Sequence, residues 1–215
     1  MREPLVVDWD GTVTEVDGLH LVLSEFGDLD VFEQAEERLG RTLTLHEVIG
    51  FEFETVRTPL ADVVAWVRAN VRVRAGFAAT ARRHRPLVVS SGFHELIDPV
   101  LERESLELEV RANRLDVRPD GWRAVFRNAE ACPVCGEPCK RSDIAGIGAF
   151  VYVGDGFSDR CIAQAATRVF ARDGLAEYLD ERRVHYERYD DFYDVMLALD
   201  GSAVVPPGRS RGRKT

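Results

Sequence analysis

Asp8-Trp9-Asp10-Gly11-Thr12-Val13-Thr14 puts two carboxylates two residues apart, directly after the short apolar run Pro4 to Val7. Residues spaced by two on an extended chain face the same way, so both acids can look into one site, and Gly11 allows a sharp turn beyond them. A nucleophilic carboxylate beside one able to shuttle a proton can form and hydrolyse an aspartyl phosphate. Taken alone, the segment fits an acidic turn that caps a helix equally well. Three later segments tip the balance. Ser90-Ser91-Gly92 follows a second apolar run and offers a hydroxyl and amides to a phosphate oxygen. Lys140 can supply the positive charge that a transferring phosphoryl group requires. Gly154-Asp155-Gly156-Phe157-Ser158-Asp159 adds two carboxylates after a third apolar run. Asp8, Asp10 and Asp155 are hard oxygen ligands in number and type for Mg²⁺. With the metal, a cluster of acids attracts a phosphate dianion instead of repelling it.

The elements that must hold these residues can be read from hydropathy. Pro4–Asp8, Pro86–Ser90 and Ala149–Val153 are apolar runs of the kind that form buried parallel strands, and Arg168–Ala171 is a weaker fourth. Helical periodicity fills 93–102, 158–166, 174–182 and 191–199, and Lys140 is expected to open a helix. Strands alternating with helices predict a doubly wound α/β core, whose ligands gather at strand carboxyl ends. Residues 16–74 carry helical stretches at 19–26, 31–39, 45–55 and 60–70 and no strand, which predicts a helical insertion after the first strand. Residues 107–126 alternate around Pro119-Asp120-Gly121 and predict a hairpin. The expected domains are therefore a core of 1–15 and 75–205, a helical cap of 16–74, and a disordered basic tail of 206–215.

Composition narrows the classes. The 215 residues are 45% hydrophobic, enough for a core without staples. A net charge of −9, from 28 basic and 37 acidic side chains, argues against a nucleic-acid binder. No apolar stretch approaches the ~18 residues of a membrane span, and the start of the chain does not read as a signal peptide. Cys132, Cys135 and Cys139 fall within eight residues, with Cys161 apart. That clustering suits a metal clip or reduced thiols better than a secreted disulfide framework, so a cytoplasmic protein is expected. Cys-x2-Cys-x3-Cys looks like half of a zinc knuckle, which Cys161 could complete. Reduced thiols shaping the loop before Lys140 are the other reading. The five histidines show no ligand spacing, although His94 follows the Ser90 loop closely. Trp9 should point away from the two aspartates into the core, and Phe51, Phe53 and Trp66 should form the small core of the cap.

Taken in order, Asp8-x-Asp10-Gly-Thr-x-Thr, Ser90, Lys140 and Gly154-Asp155-Gly-x-x-Asp159 resemble the four motifs of the haloacid dehalogenase superfamily. The resemblance reaches to about residue 199. Val89-Ser90-Ser91-Gly92-Phe93 and Ala112-Asn113-Arg114-Leu115 are similar to the phosphoserine phosphatase-like branch. The three thiols before Lys140, with Cys161 after the last motif, are similar to its pyridoxal phosphatase-related group, which includes methionine-salvage phosphatases. The resemblance implies a Rossmann-like core with a cap, Asp8 as nucleophile and Asp10 as acid and base. It further implies Ser90 and Lys140 on phosphate, Asp155 on Mg²⁺ beside Asp8 and the Asp10 carbonyl, and Asp159 as a supporting acid. The implied activity is hydrolysis of a small phosphorylated metabolite by a monomer or homodimer. Asp17 falls near the cap acid that reads an amine in phosphoserine phosphatase. Glu52 stands near the place of its carboxylate-reading arginine, with Arg57 an imperfect substitute, so phosphoserine itself fits poorly. Two rivals use the same residues: a phospho-acceptor switch of receiver type, and a zinc-linked binding module. Receivers run shorter, lack such an insertion and place their acidic pair before the acceptor strand.

Overall fold

A computed structural model describes residues 3–201. The predicted tail at 206–215 lies outside them. Seven strands form one sheet in the order β4-β3-β2-β1-β5-β6-β7. They are β1 (Leu5–Val7), β2 (Leu87–Phe93), β3 (Val110–Asp116), β4 (Arg123–Val125), β5 (Val151–Gly154), β6 (Arg168–Ala171) and β7 (Glu187–Arg188). All pair in parallel except β4, which runs antiparallel to β3 and closes the expected hairpin. The chain moves from β1 outward to β2 and β3, then crosses to β5 on the other flank of β1. Strand order therefore reverses at β1, and the carboxyl end of β1 opens onto the crevice where such sheets bind ligands. Val6 and Val7 are fully buried, as a strand covered on both faces requires.

The insertion folds as α1 (Gly18–Phe26), α2 (Leu29–Glu36), α3 (Leu45–Phe53) and α4 (Leu60–Asn70). Asp17, Asp28 and Thr44 cap the first three by accepting backbone N–H bonds, and Thr44 with Glu47 forms a reciprocal capping box. Two helices flank β2: α5 (Phe77–His84) and α6 (His94–Arg103). The last three are α7 (Arg160–Ala163), α8 (Asp173–Glu181) and α9 (Phe192–Leu199). None of the described helices is long and apolar enough to cross a membrane.

Several expectations are corrected. The helix expected over 158–166 is a 3₁₀ turn at Phe157–Asp159 followed by the four-residue α7, because Asp159 turns inward to hold backbone amides. Lys140 opens a 3₁₀ segment, Lys140–Ile144, not an α-helix. Phe51 is 48% exposed and packs in no core. Phe53 and Trp66 belong to the main core, where Phe53 lies edge-on to Phe93. Trp9 is buried against Phe77, as strand alternation requires.

Candidate active site

The ends of β1, β2 and β5 bring the expected residues to one edge. Gly11 adopts φ +77° and turns the chain after Asp10. Thr12 Oγ1 donates to Asp155 Oδ1 at 2.6 Å, tying the turn after β1 to the loop after β5. Lys140 Nζ reaches Asp8 Oδ1 at 2.5 Å and Asp159 Oδ1 at 2.7 Å, with all three side chains buried. Asp159 spends its remaining capacity on Tyr152 Oη and on the backbone amides of Asp155 and Gly156. Its oxygens are thus committed to posture, which leaves Asp8 and Asp155 as the acids free to face an incoming group.

Asp10 is held differently. Its carboxylate accepts from the Gly18 amide at 3.1 Å and from Ser90 Oγ at 3.2 Å, on the side of the insertion. Gly92 makes room for it, since a Cβ there would lie 2.7 Å from Asp10 Oδ2. The Gly92 amide is not free for phosphate as expected; it donates to Ser90 Oγ at 2.8 Å. Ser91 lines the cavity, and its carbonyl accepts from Asn113 Nδ2.

The electrostatics follow from burial. Burial first, and then Asp159, raise the Asp8 carboxyl well above the ordinary range, against the opposing pull of Lys140. Burial and then Asp17 push Asp10 up to about 8. Burial and Asp159 push Asp155 up to about 7. Asp159 goes the other way: burial would raise it, but Lys140 and the Gly156 amide outweigh that and lower it. Lys140 is raised, because its two acid partners overcome desolvation. One ammonium thus serves four buried or half-buried acids. Asp8, Asp155 and Asp159 bring carboxylate oxygens within 4.8 Å of one another with negative charge in excess, a donor set that fits a hard divalent cation such as Mg²⁺. The Asp10 carboxylate, expected among the ligands, is held toward Gly18 and Ser90 and is not part of that group.

Above these residues lies a cavity of about 350 Å³, roofed by the insertion. Its lining includes Asp17, Glu36 and Glu52, and no arginine or lysine among the described residues. Glu52 is 4% exposed and its Oε1 has no hydrogen-bond partner. Arg57 lines a separate groove with Asp28 and Thr55 and does not reach the site. His94 pairs with Asp98 at 3.2 Å and does not line the cavity.

Two contributors escaped the sequence reading. Arg74, buried at the last position of the insertion, donates to the carbonyls of Gly11, Thr12, Thr14 and Glu15 and so clamps the turn carrying both aspartates. Tyr152 looks like one more core aromatic in an apolar run, yet its hydroxyl orients Asp159 at 2.6 Å. Only partners about 60 residues away give Arg74 its meaning, so no local pattern marks it. The alternation of β5 was the available signal for Tyr152.

No family model matches the chain. A 2-hydroxy-3-keto-5-methylthiopentenyl-1-phosphate phosphatase of Geobacillus kaustophilus is 27% identical over 213 residues, covering 94% of this chain and 97% of that one. A protein of the same name from an Exiguobacterium species is 23% identical over 94% of this chain and 99% of that one. Among solved structures, a substrate-bound phosphoserine phosphatase superposes with a TM-score of 0.70 at 16% identity, covering 92% of this chain and 98% of that one. Phosphoserine phosphatase from T. onnurineus gives 0.66 at 15% identity, with 96% of each chain covered. The chain shares the fold of these phosphatases, with the expected motif residues brought together at the carboxyl end of β1.

Proposed function

We propose that the chain is a Mg²⁺-dependent phosphatase of a small phosphomonoester, with residues 16–74 acting as the cap over a core of 1–15 and 75–205. The observation that carries this reading is the buried contact of Asp8 with Lys140 beside Asp155, beneath a cavity lined on its far side by the insertion. The names of the relatives and structural neighbours support the same class.

Asp8 attacks phosphorus in line. The Oδ–P bond forms as the ester P–O bond breaks, and the Asp10 carboxyl gives its proton to the leaving oxygen. Asp10, with its carboxyl pushed up to about 8, carries that proton at neutral pH. Asp10 then takes a proton from water, whose oxygen attacks phosphorus, and phosphate leaves with Asp8 restored. Lys140 offsets the charge on the phosphoryl oxygens, and Ser90 keeps the Asp10 carboxyl oriented through its hydrogen bond. Mg²⁺, held by Asp8, Asp155 and the backbone carbonyl of Asp10, would offset the charge of the phosphate dianion against the acids around it.

The cavity supports a leaving group without a carboxylate. A phosphoserine carboxylate would face Asp17, Glu36 and Glu52, with no arginine or lysine among the described lining residues to pair with it. An uncharged hydroxy-keto chain of the kind in the relatives' name, or an amine, meets no such repulsion. The test is turnover of p-nitrophenyl phosphate by the purified chain, then kcat/KM for phosphoserine, phosphoethanolamine and an uncharged hydroxy-ketone phosphate. Phosphoserine should be the poorest of the three. Absence of any turnover with Mg²⁺ would favour the phospho-acceptor or binding-module readings, and a preference for phosphoserine would restore the amino-acid substrate.

A further inference from the structure

The four cysteines do not serve the chemistry above, yet the fold gathers them at one point. Cys132, Cys135 and Cys139 come from the loop before Lys140, and Cys161 from α7 beyond Asp159. Their four sulfurs all lie within 4.8 Å of one another, and Cys132 Sγ is 3.9 Å from Cys161 Sγ. A disulfide would need about 2.05 Å. Zn–S bonds of about 2.3 Å at tetrahedral angles place neighbouring sulfurs about 3.8 Å apart. The geometry points to a tetrathiolate zinc site formed by Cys132, Cys135, Cys139 and Cys161.

The local backbone is shaped for it. Cys132-Pro133-Val134-Cys135-Gly136 folds back tightly, with the Gly136 amide donating to the Cys132 carbonyl at 2.8 Å. Gly136 sits at φ +81°, where a side chain would be strained. The Val134 amide points at Cys132 Sγ at 3.5 Å, the direction that stabilises a thiolate. Arg141 Nη1 binds the Cys161 carbonyl at 3.0 Å and lies 4.0 Å from its sulfur, placing positive charge beside a centre of net negative charge. Soft thiolates in this number favour zinc over the hard cation of the phosphate site.

The position gives the site its role. Cys139 precedes Lys140 directly, and Cys161 follows Asp159 by two residues. Zinc therefore clips together the two segments whose side chains form the 2.7 Å ion pair behind Asp8. Lys140 and Asp159 are positioned by this clip, and the cysteines touch neither substrate nor phosphate.

The test uses the full chain purified without added metal or chelator. Elemental analysis should find about one zinc per chain, released when a mercurial reagent blocks the thiols. The Asp8→Asn variant should keep the zinc while losing turnover, which separates this inference from the proposed activity. Cys135→Ser alters an exposed side chain and should lose most of the zinc, with a lower Tm and a kcat reduced at least several-fold. Cys135→His should restore both. Zinc well below one per chain, iron in its place, or a Cys132–Cys161 disulfide in the purified protein overturns the site. Zinc loss with unchanged kcat overturns the positioning role.

Discussion

Glu52 lies on α3 facing the cavity, 4% exposed, with Oε1 unpartnered. Burial first, then Glu36 and Asp17, push its carboxyl from 4.5 up to about 8. The folded chain therefore keeps a proton that the unfolded chain releases above about pH 4.5, and stability falls as pH rises from there toward 8. At pH 7 the gap from 4.5 is roughly 2.5 units, or about 3.4 kcal/mol at 1.36 kcal/mol per unit. Water in the cavity screens part of this, and halving it leaves about 1.7 kcal/mol. Glu52→Gln removes the titration while keeping the shape. For a domain of this size the gain converts to roughly 3–7 °C in Tm at pH 7. At pH 5 the same arithmetic leaves about 0.3 kcal/mol, or about 1 °C. Thermal melts of wild type and variant by circular dichroism at pH 5, 6, 7 and 8 measure the difference directly. A shift of equal size at pH 5 and pH 7, or a loss at pH 7, would refute an acid held protonated by its acidic neighbours.

Asp8→Asn should fold as the wild type does and lose turnover by roughly 10³-fold or more, since its amide cannot attack phosphorus; wild-type-like hydrolysis of p-nitrophenyl phosphate would end the assignment. Arg74→Ala leaves four backbone carbonyls without their donor and should lower stability by about 3 kcal/mol in denaturant titrations, with a loss of kcat. A loss of under about 1 kcal/mol would show that the clamp is dispensable. For an alkyl phosphate, kcat/KM should fall as pH rises through about 8, because Asp10 must be protonated to release the alcohol. With p-nitrophenyl phosphate, whose leaving group needs no proton, that limb should flatten; identical limbs would separate it from Asp10. EDTA should abolish turnover and Mg²⁺ restore it, and activity persisting in excess chelator would remove the metal from the reaction.

Most of the parallel core was legible because β1, β2 and β5 are apolar runs ending in Asp, Ser or Gly, a local signal of buried strands, and β6 is a weaker run that lacks that ending. The four helices of the insertion announced themselves by periodicity, although α2 begins at Leu29 and ends at Glu36, both earlier than its pattern suggested. Helix α5 went unread. Its Arg82, Arg83 and His84 break the apolar stripe that Phe77 and Ala81 begin. The site acids were readable from spacing, since strand ends fix their direction. The division of labour among them was not: that Asp159 is saturated with donors while Asp155 is open depends on Tyr152, Lys140 and two amides at once. Ser90 illustrates the same limit. Its hydroxyl was read as a phosphate donor, and in the structure it bridges Asp10 and the Gly92 amide.

Asp8 and Lys140 touch across 132 positions of sequence, Thr12 and Asp155 across 143, and Arg74 reaches back across about 60. Loop closures of that span are late events in a chain's collapse, because each must await the sheet that carries both ends. A partly folded chain can hold the α2–α3 pair or the β3–β4 hairpin, which are local, and still have no nucleophile poised beside a cation. Recovery of turnover on dilution from denaturant should therefore trail the return of helical circular dichroism. Activity becomes a clock for the last contacts of folding.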